Sequence, residues 1–160
     1  MNDFEIVDIK DEHFEQIVKM IAKFGMPTGA DHFENVEKLK KYMEEDEKRG
    51  RVALESRSGE LVGFIFYCLG YVWPLEAFKR EFHRSSEIGY ISDIIVHPGF
   101  QRRGIDSRLV KAAEADLAAM GARRVTLITS NANHGAQAFF KKLGYSISGQ
   151  TDVVGFEKFL

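Results

Sequence analysis

The chain contains 160 residues with a mass of 18.2 kDa, a size at which one domain buries roughly 70% of the surface that its unfolded chain exposes. We therefore predict a single domain over residues 1–160. The 22 Lys and Arg residues nearly balance 24 Asp and Glu, and the formal net charge of −2 excludes a protein whose whole surface is a basic footprint for nucleic acid or membrane. A composition of 44% hydrophobic and 29% charged residues also excludes a disordered or collagen-like chain.

The first third of the chain has the pattern of one strand followed by two helices. Phe4–Ile9 alternates apolar and polar residues, which predicts an edge strand. We expect Asp11 to cap a helix with one apolar face and the segment Gly25–Gly29 to end that helix. A second amphipathic helix follows, and its other face is the solvated charge run Glu44–Arg49. The apolar positions are Phe14, Ile17, Val18 and Ile21 in the first helix and Phe33, Val36, Leu39 and Met43 in the second.

Strands dominate the middle of the chain. Arg51–Ser56 and Leu61–Val72 are predicted to form a hairpin joined by an Arg-Ser-Gly turn. The next segment, Trp73–Ser86, fits either a short helix or a substrate-side loop. Ile88–Val96 follows as a central strand, because it is apolar on both faces except at two adjacent polar residues.

The last third alternates helices and strands. A long alanine-rich helix is predicted over Ile105–Met120, with Gly121 as its stop. A strand over Arg124–Thr129, a helix over Gly135–Leu143 and two strands within Tyr145–Leu160 complete the order β-α-α-β-β-β-α-β-α-β-β. This order is that of an α/β domain.

No segment that directs a protein to a membrane or out of the cell is visible. Met1–Asp8 carries three acidic residues instead of a basic stretch followed by an apolar block, so no secretory signal is expected. The longest uncharged run, Leu61–Leu75, has 15 residues and is too short and too broken by Gly and Pro to span a membrane. The single cysteine, Cys68, lies in an apolar run and is expected to be a buried free thiol. These features predict a cytoplasmic protein without a membrane partner.

The most distinctive local feature is the turn Gly99-Phe-Gln-Arg-Arg-Gly104-Ile-Asp-Ser107 between the central strand and a helix start. Glycines permit a tight turn there, and the first amides of a helix, together with its dipole, attract an anion. A P-loop is excluded because Ile105-Asp106 stands where it needs Lys-Ser/Thr, and a dinucleotide fingerprint is excluded because Gln101 stands where it needs Gly. The alternative is an ordinary strand-to-helix turn with solvated arginines.

This turn and its surroundings resemble the GCN5-related N-acetyltransferases (GNAT), a family that transfers acetyl from acetyl-coenzyme A to an amine. The family signature Gln/Arg-x-x-Gly-x-Gly/Ala is similar to Gln101–Asp106, which follows the step Val96-His97-Pro98. The family's downstream Asn, Tyr and Leu-Gly-Phe/Tyr positions correspond to Asn133, Phe140 and Leu143-Gly144-Tyr145. The order of elements also matches, so the resemblance implies an α/β fold with a mixed, mostly antiparallel sheet of about seven strands flanked on both faces by about four helices.

The resemblance implies acetyl-coenzyme A as co-substrate and assigns residues to it. Main-chain groups of Ile95 and Val96, at the end of a strand splayed from its neighbour, are expected to hold the pantetheine arm and polarise the acetyl carbonyl. Asn133 either bonds the pantetheine or only caps the next helix, and Phe140 stands at a further coenzyme position. The Ser107 hydroxyl is an extra donor to the pyrophosphate. The backbone amides expected to cradle that pyrophosphate belong to Gln101, Arg102, Arg103, Gly104, Ile105, Asp106 and Ser107.

The acceptor amine must be neutral to attack, so the site needs a base. Asp93 is the first candidate, because a carboxylate in an otherwise apolar strand is costly to bury without a function, and its alternative is a structural pair with an Arg. Glu87, at the start of the strand, is the second candidate, and its alternative is a plain exposed position. Tyr145 is a catalytic candidate as a proton source for the departing thiolate, and its alternative is a core position after the helix stop.

Two residues depart from the family pattern. Phe140 occupies the position where many relatives carry a Tyr that protonates the thiolate, and a Phe cannot do this. Asp106 stands where the family has Gly or Ala, and a carboxylate beside a pyrophosphate costs roughly 1–3 kcal/mol when it is partly desolvated. Its side chain either disfavours the coenzyme, turns outward to cap the helix, or pairs with Arg102 or Arg103. These departures leave a second hypothesis open, a non-catalytic or weakened GNAT-fold binding or regulatory module.

The first hypothesis is therefore an acetyl-coenzyme A-dependent N-acetyltransferase in which a primary amine attacks the thioester directly in a ternary complex. Transfer of a longer acyl group is a further alternative. The acceptor is a small-molecule or peptide amine, and acidic stretches such as Glu76–Glu87 are compatible with a cationic one. No nucleic-acid partner is expected, and the histidines show no metal-ligand spacing, so no metal site is predicted. Homodimers are common in the family, and nothing in the sequence specifies an interface.

Overall fold

The computed structural model describes residues 3–24, 33–72 and 81–160. The central strand is confirmed at both of its predicted ends, and a short 3₁₀ turn follows it at Pro98–Phe100. The strands are β1 (Phe4–Asp8), β2 (Arg49–Glu55), β3 (Leu61–Leu69), β4 (Tyr71–Val72), β5 (Phe82–His83), β6 (Ile88–Val96), β7 (Arg124–Ser130), β8 (Ser146–Gln150) and β9 (Val153–Phe159). The α-helices are α1 (Asp11–Phe24), α2 (Val36–Glu45), α3 (Ile105–Ala119) and α4 (His134–Lys142).

Seven of these strands form one sheet in the order β1-β2-β3-β6-β7-β9-β8, and β4 and β5 form a separate two-stranded sheet. The β6–β7 pair is parallel, whereas β1–β2, β7–β9 and β8–β9 are antiparallel. A mixed, mostly antiparallel sheet of seven strands with four helices is what the sequence predicts. The expectation that the first strand lies at an edge of the sheet is also confirmed.

Contacts within the chain define two compact units. The first comprises Met1–Phe66 and Asp93–Ala113, and the second comprises Tyr67–Ser92 and Glu114–Leu160. None of the helices in the described residues is long and apolar enough to cross a membrane.

The first unit has a core made by α1, α2 and the β2–β3 hairpin. Val18 is only partly buried, and Asp11 is the first residue of α1 rather than its cap. The capping bond is instead accepted by Nδ1 of His13 from the amide of Lys10, at 2.9 Å. Burial lowers the pKa of His13, which keeps that nitrogen unprotonated and able to accept. The buried members of this core are Phe14, Ile17, Met20, Ile21, Phe33, Leu39, Met43, Val52, Leu61, Phe64 and Phe66.

The prediction that the charge run Glu44–Arg49 forms the outer face of the second helix is wrong, because α2 ends at the second residue of that run. Glu47 adopts a left-handed φ of 51°. The amide of Lys48 then donates to the carbonyl of Met43 at 2.7 Å, and the amide of Glu47 donates to the carbonyl of Glu44 at 3.2 Å. These two bonds form a Schellman motif, the usual way to end a helix, although a glycine is expected at its left-handed position.

The single strand predicted over Leu61–Val72 is divided into β3 and β4 at Gly70. This glycine has a φ of 146°, and a Cβ there would collide with the Phe82 ring and the His83 carbonyl. Only glycine allows β5 to approach this closely. The segment Trp73–Ser86 is predicted as a helix or a loop. Its residues 73–80 lie outside the described residues, and the rest of it contains β5. The helix-breaking segment predicted at Gly25–Gly29 also lies outside the described residues.

The second unit is built on β7, β9, α4 and the end of α3. Its core includes Leu117, Val125, Phe140 and Phe156, all buried. The predicted stop of α3 at Gly121 is confirmed, because the amide of Ala122 donates back to the carbonyl of Leu117 at 2.9 Å. The two predicted final strands, β8 and β9, are also confirmed.

Candidate active site

The turn after β6 is shaped by its own residues, all within the first unit. Nδ1 of His97 accepts a hydrogen bond from the amide of Gly99 at 2.9 Å, which stabilises the 3₁₀ turn. Arg102 and Gly104 then adopt left-handed φ angles of 65° and 79°, and such alternation turns successive amides toward one side of the chain. Ile105 is fully buried, so it anchors the start of α3 in the core.

The amides of this turn lack acceptors within the protein. Those of Arg102, Arg103, Gly104, Ile105 and Asp106 donate to no atom of residues 3–24, 33–72 or 81–160. The side chains of Arg102 and Arg103 are exposed in the same turn. Gln101 differs, because its amide makes a weak bond of 3.5 Å to the carbonyl of Pro98. A row of free amides at the positive end of a helix, beside two arginines, is suited to a phosphate group.

Asp106 occupies part of this anion site. Its Oδ1 accepts a hydrogen bond from the amide of Ser107 at 2.7 Å. No ion pair joins it to Arg102 or Arg103 within the described chain, and the Arg103 guanidinium instead lies 5.1 Å from the centre of the Phe100 ring. Of the three alternatives for this side chain, the structure therefore shows the helix-capping one. The Asp106 carboxylate holds a donor that the sequence assigned to a pyrophosphate.

Ile95 and Val96 lie at the end of β6 and are half-buried. In the described chain, the register between β6 and β7 covers only Ile88–Tyr90 on β6. The end of β6 is held by β3 instead, because the His97 amide donates to the carbonyl of Val62 at 2.8 Å. The register of β6 with β7 thus ends at Tyr90, before the end of the strand.

Asp93 is buried on β6, with 7% of its surface exposed. Its Oδ2 accepts a hydrogen bond from the Tyr42 hydroxyl of α2 at 2.8 Å. Sequence reasoning missed Tyr42, although a signal was available. Tyr42 follows Leu39 by three residues and so falls near the apolar face of its helix, and a buried tyrosine hydroxyl normally requires a polar partner.

Glu87 immediately precedes β6 at its other end. Its side chain is 63% exposed and its nearest cation is the exposed Arg123, at 3.9 Å. This environment favours the alternative of a plain exposed position at the start of the strand over the role of second base.

Tyr145 lies in the core of the second unit with 3% exposure. Its hydroxyl donates to Oε2 of Glu114 at 2.8 Å, and the Lys158 ammonium lies 3.1 Å from the same oxygen. Burial, followed by the charge of Glu114 and this hydrogen bond, raises the pKa of Tyr145 far above its ordinary value. A phenol whose proton is held this firmly is a poor acid, so the structure favours the core interpretation of Tyr145.

Asn133 precedes α4 in the second unit, and Phe140 lies within that helix. Oδ1 of Asn133 accepts a hydrogen bond from the amide of Ala136 at 3.0 Å, so Asn133 caps α4, and its contact with the pantetheine stays a prediction. Phe140 is buried, and its ring packs edge-on against Tyr145 with centroids 5.5 Å apart. The described residues contain no group of three or more His, Cys, Asp and Glu side chains placed to hold a metal ion.

The chain is similar to known acetyltransferases. The profile described as "Acetyltransferase (GNAT) family" matches residues 15–145. N-alpha-acetyltransferase 30 of Dictyostelium discoideum is 31% identical over 83 residues, covering 52% of this chain and 45% of that protein. N-alpha-acetyltransferase MAK3 of Arabidopsis thaliana is 30% identical, covering 51% of this chain and 50% of that protein. The chain thus spans about half the length of the curated relatives that it matches.

Solved structures share the fold. The NatC complex bound to Gag peptide and CoA contains a chain with a TM-score of 0.73 at 16% identity, and 99% of each chain is covered. At this identity the likeness concerns the fold alone, whereas the family profile extends over most of the sequence. The chain belongs to the acetyltransferase (GNAT) family.

Proposed function

We propose that this protein transfers an acetyl group from acetyl-coenzyme A to a primary amine, by direct attack in a ternary complex. One observation carries the proposal: the row of free amides from Arg102 to Asp106, next to two exposed arginines, directly follows the strand that carries the buried Asp93. The reaction needs a site for the phosphates of the coenzyme and a base for the amine, and the turn and the buried carboxylate are suited to these two tasks.

The turn supplies binding of the coenzyme. Its amides donate to the pyrophosphate, and the two arginine side chains add positive charge without having to be desolvated. The main chain of Ile95 and Val96 holds the pantetheine arm. The NatC structure, which has the same fold, is bound to CoA, and this supports the choice of coenzyme.

Asp93 supplies the base. The amine nitrogen attacks the thioester carbonyl, a C–N bond forms, and the C–S bond breaks as the coenzyme thiolate leaves. The proton lost by the amine passes to the Asp93 carboxylate, directly or through a water. Phe140 cannot return a proton to the thiolate and the Tyr145 phenol is held by Glu114, so the thiolate leaves unaided or takes its proton from water.

The α-amine of a peptide is the acceptor that we propose first. Both relatives are named N-alpha-acetyltransferases, and the NatC structure is bound to a peptide. The test measures free-thiol release from acetyl-coenzyme A over a panel of amines. The panel contains a peptide with a free N-terminus, the same peptide with its N-terminus blocked, a lysine side-chain amine, a polyamine and an aminoglycoside. Turnover of the free peptide and none of the blocked one supports the proposal, and turnover of none of the amines contradicts it.

The Asp106 bond favours a second candidate function, a weakened GNAT-fold module that binds without catalysis. Because the carboxylate holds the Ser107 amide, a pyrophosphate must displace it and tolerate its charge. We expect Asp106→Gly to tighten coenzyme binding by about tenfold, or about 1.4 kcal/mol, measured by calorimetry. Asp106→Asn is the matched control, because it keeps an acceptor for the amide and loses only the charge. Weak, millimolar binding by the wild type that the glycine variant tightens by tenfold or more favours the module, and unchanged micromolar binding by both proteins favours the enzyme.

A further inference from the structure

We propose that Tyr42 is a positioning residue for Asp93 and that Lys48 holds Tyr42 in place for this task. The inference rests on the proposed function, in which Asp93 is the base. Tyr42 and Asp93 are 51 residues apart in the sequence, and the fold of the first unit brings them into contact.

The hydrogen bond between the two side chains is the first observation. The Tyr42 hydroxyl donates to Oδ2 of Asp93 at 2.8 Å, an ordinary length for a hydroxyl donor. Asp93 is buried, so its charged form depends on such donors to replace lost solvation. The bond also fixes one of the two carboxylate oxygens, which restricts rotation of the carboxyl group.

The Tyr42 ring is itself held from two directions. The Lys48 ammonium lies 4.1 Å from its centroid, and the Phe33 ring packs edge-on at 5.2 Å. The Lys48 side chain is only 4% exposed, and its ammonium bonds Oδ2 of Asp46 at 2.7 Å. A cation over an aromatic face is more strongly attracted when it is desolvated, as this one is.

The conformation of the chain at the end of α2 places Lys48 over the Tyr42 ring, and this conformation is strained. In the Schellman motif of this helix, Lys48 is the residue that folds back over the last turn, directly after Glu47 in its left-handed conformation. A left-handed conformation costs a residue with a Cβ roughly 1–2 kcal/mol. Such strain persists where the surroundings determine the conformation, and here it seats a lysine on the ring that holds Asp93.

Lys48 and Tyr42 affect the charged form of Asp93 without contacting the amine. A cation over the ring draws electron density from the phenol and makes its hydroxyl a stronger donor. A stronger donor to a carboxylate favours the charged form, and only the charged form accepts the proton from the amine. Tyr42 therefore keeps Asp93 ionised and oriented.

The test uses Tyr42→Phe, which removes the hydroxyl and keeps the ring. We expect kcat/KM for the amine to fall by about tenfold, with the coenzyme Kd unchanged within about twofold. The acid limb of the pH profile moves to higher pH, because the charged form of Asp93 has lost a donor. Tyr67→Phe is the matched control, since it removes a phenol donor to another carboxylate, Asp116, and we expect it to leave the pH profile unchanged.

A double-mutant cycle separates this inference from the function on which it rests. If Tyr42 acts through Asp93, Tyr42→Phe has no further effect on kcat in an Asp93→Asn background. Full activity of Asp93→Asn alone overturns the choice of base, and with it the role of Tyr42. A large loss in Asp93→Asn together with an unmoved pH profile in Tyr42→Phe overturns the positioning role only.

Lys48 is tested by two variants with long, unbranched stems that differ in charge. Lys48→Met removes the cation and is expected to move the acid limb in the same direction as Tyr42→Phe but by less. Lys48→Arg retains a cation and is expected to restore the wild-type profile. Thermal unfolding of each variant shows that it is folded. Identical profiles for the Met and Arg variants contradict the role assigned to Lys48.

Discussion

Two of the phenol–carboxylate hydrogen bonds among the described residues have the same length but different settings. Tyr42 bonds Asp93 at 2.8 Å in the first unit, and Tyr145 bonds Glu114 at 2.8 Å in the second. A lysine accompanies each pair. The Lys48 ammonium lies 4.1 Å from the centroid of the Tyr42 ring, whereas the Lys158 ammonium lies 3.1 Å from the Glu114 carboxylate and 5.7 Å from the centroid of the Tyr145 ring. In the second pair the lysine contacts the carboxylate that accepts from the phenol, whereas in the first it contacts the ring of the phenol and the carboxylate of Asp46.

On the proposed function, this difference separates the catalytic base from a structural carboxylate. The Lys158 ammonium and the Tyr145 hydroxyl both contact the Glu114 carboxylate, so this acid is committed to the core. The Lys48 ammonium lies 4.1 Å from the Tyr42 ring centroid and bonds Asp46, so in our proposal it acts on Asp93 through the phenol that donates to it. A charged carboxylate held by a phenol can still accept a proton.

Replacing each carboxylate by its amide tests the comparison most directly. We expect Asp93→Asn to lower kcat by about a hundredfold or more, as removal of a general base does, with coenzyme Kd unchanged. Glu114→Gln is expected to keep kcat within about twofold and to lower the free energy of unfolding by about 1–3 kcal/mol, because Lys158 loses a buried partner. Steady-state kinetics and denaturant unfolding measure the two effects, and a larger loss of kcat in Glu114→Gln than in Asp93→Asn would reverse the assignment.

The raised pKa of Tyr145 predicts a dependence of stability on alkaline pH. The folded phenol stays protonated above the ordinary value of 10.0, whereas the unfolded phenol ionises there. The stability that this group contributes is therefore complete below pH 10 and declines above it, by up to about 1.4 kcal/mol per pH unit. Denaturant unfolding of the wild type and Tyr145→Phe between pH 8 and 11 measures it, and we expect the Phe variant to lose stability less steeply.

Glu114→Gln sharpens the cause of that slope. Burial is the larger reason for the raised pKa and the Glu114 charge is the next. Because burial remains in this variant, its folded phenol is expected to stay protonated near pH 10, and its stability to decline more steeply between pH 8 and 11 than that of Tyr145→Phe. Identical alkaline slopes in the wild type, Tyr145→Phe and Glu114→Gln would show that the phenol ionises normally in the folded protein.

Sequence patterns predicted most of the fold because its elements carry local signals. The central strand, the hairpin and the ends of α3 and α4 follow apolar periodicity and glycine stops, which act over a few residues. The end of α2 was mispredicted because Glu47 occupies the left-handed position that normally marks a helix end with glycine. The split of the third strand depended on how closely β5 approaches Gly70, which no local pattern contains.

The parts of the site that depend on local sequence were predicted, and those that depend on tertiary contacts were not. The turn from Gln101 to Ser107 is continuous in sequence, so its residues could be named in advance. The Asp106 side chain had three possible conformations, and a single hydrogen bond distinguishes them. Tyr42 was missed because its contact with Asp93 spans 51 residues and depends on how α2 packs, a tertiary property.

The two helix ends beside the pairs provide the last test. At the end of α4, Gly144 takes a left-handed φ of 95° and Tyr145 folds back, whereas at the end of α2 Glu47 takes 51° and Lys48 folds back. Glu47→Gly removes strain and is expected to raise the free energy of unfolding by up to about 1 kcal/mol, while Gly144→Ala is expected to lower it by about 1 kcal/mol. A Cβ at Gly144 comes no closer than 3.6 Å to Lys158, so the loss reflects backbone conformation rather than a clash. If Glu47→Gly stabilises the protein and also moves the acid limb of the pH profile to higher pH, the left-handed glutamate serves to hold Lys48 on the Tyr42 ring. Stabilisation with an unchanged pH profile would show that Lys48 keeps its position on the ring without the glutamate side chain.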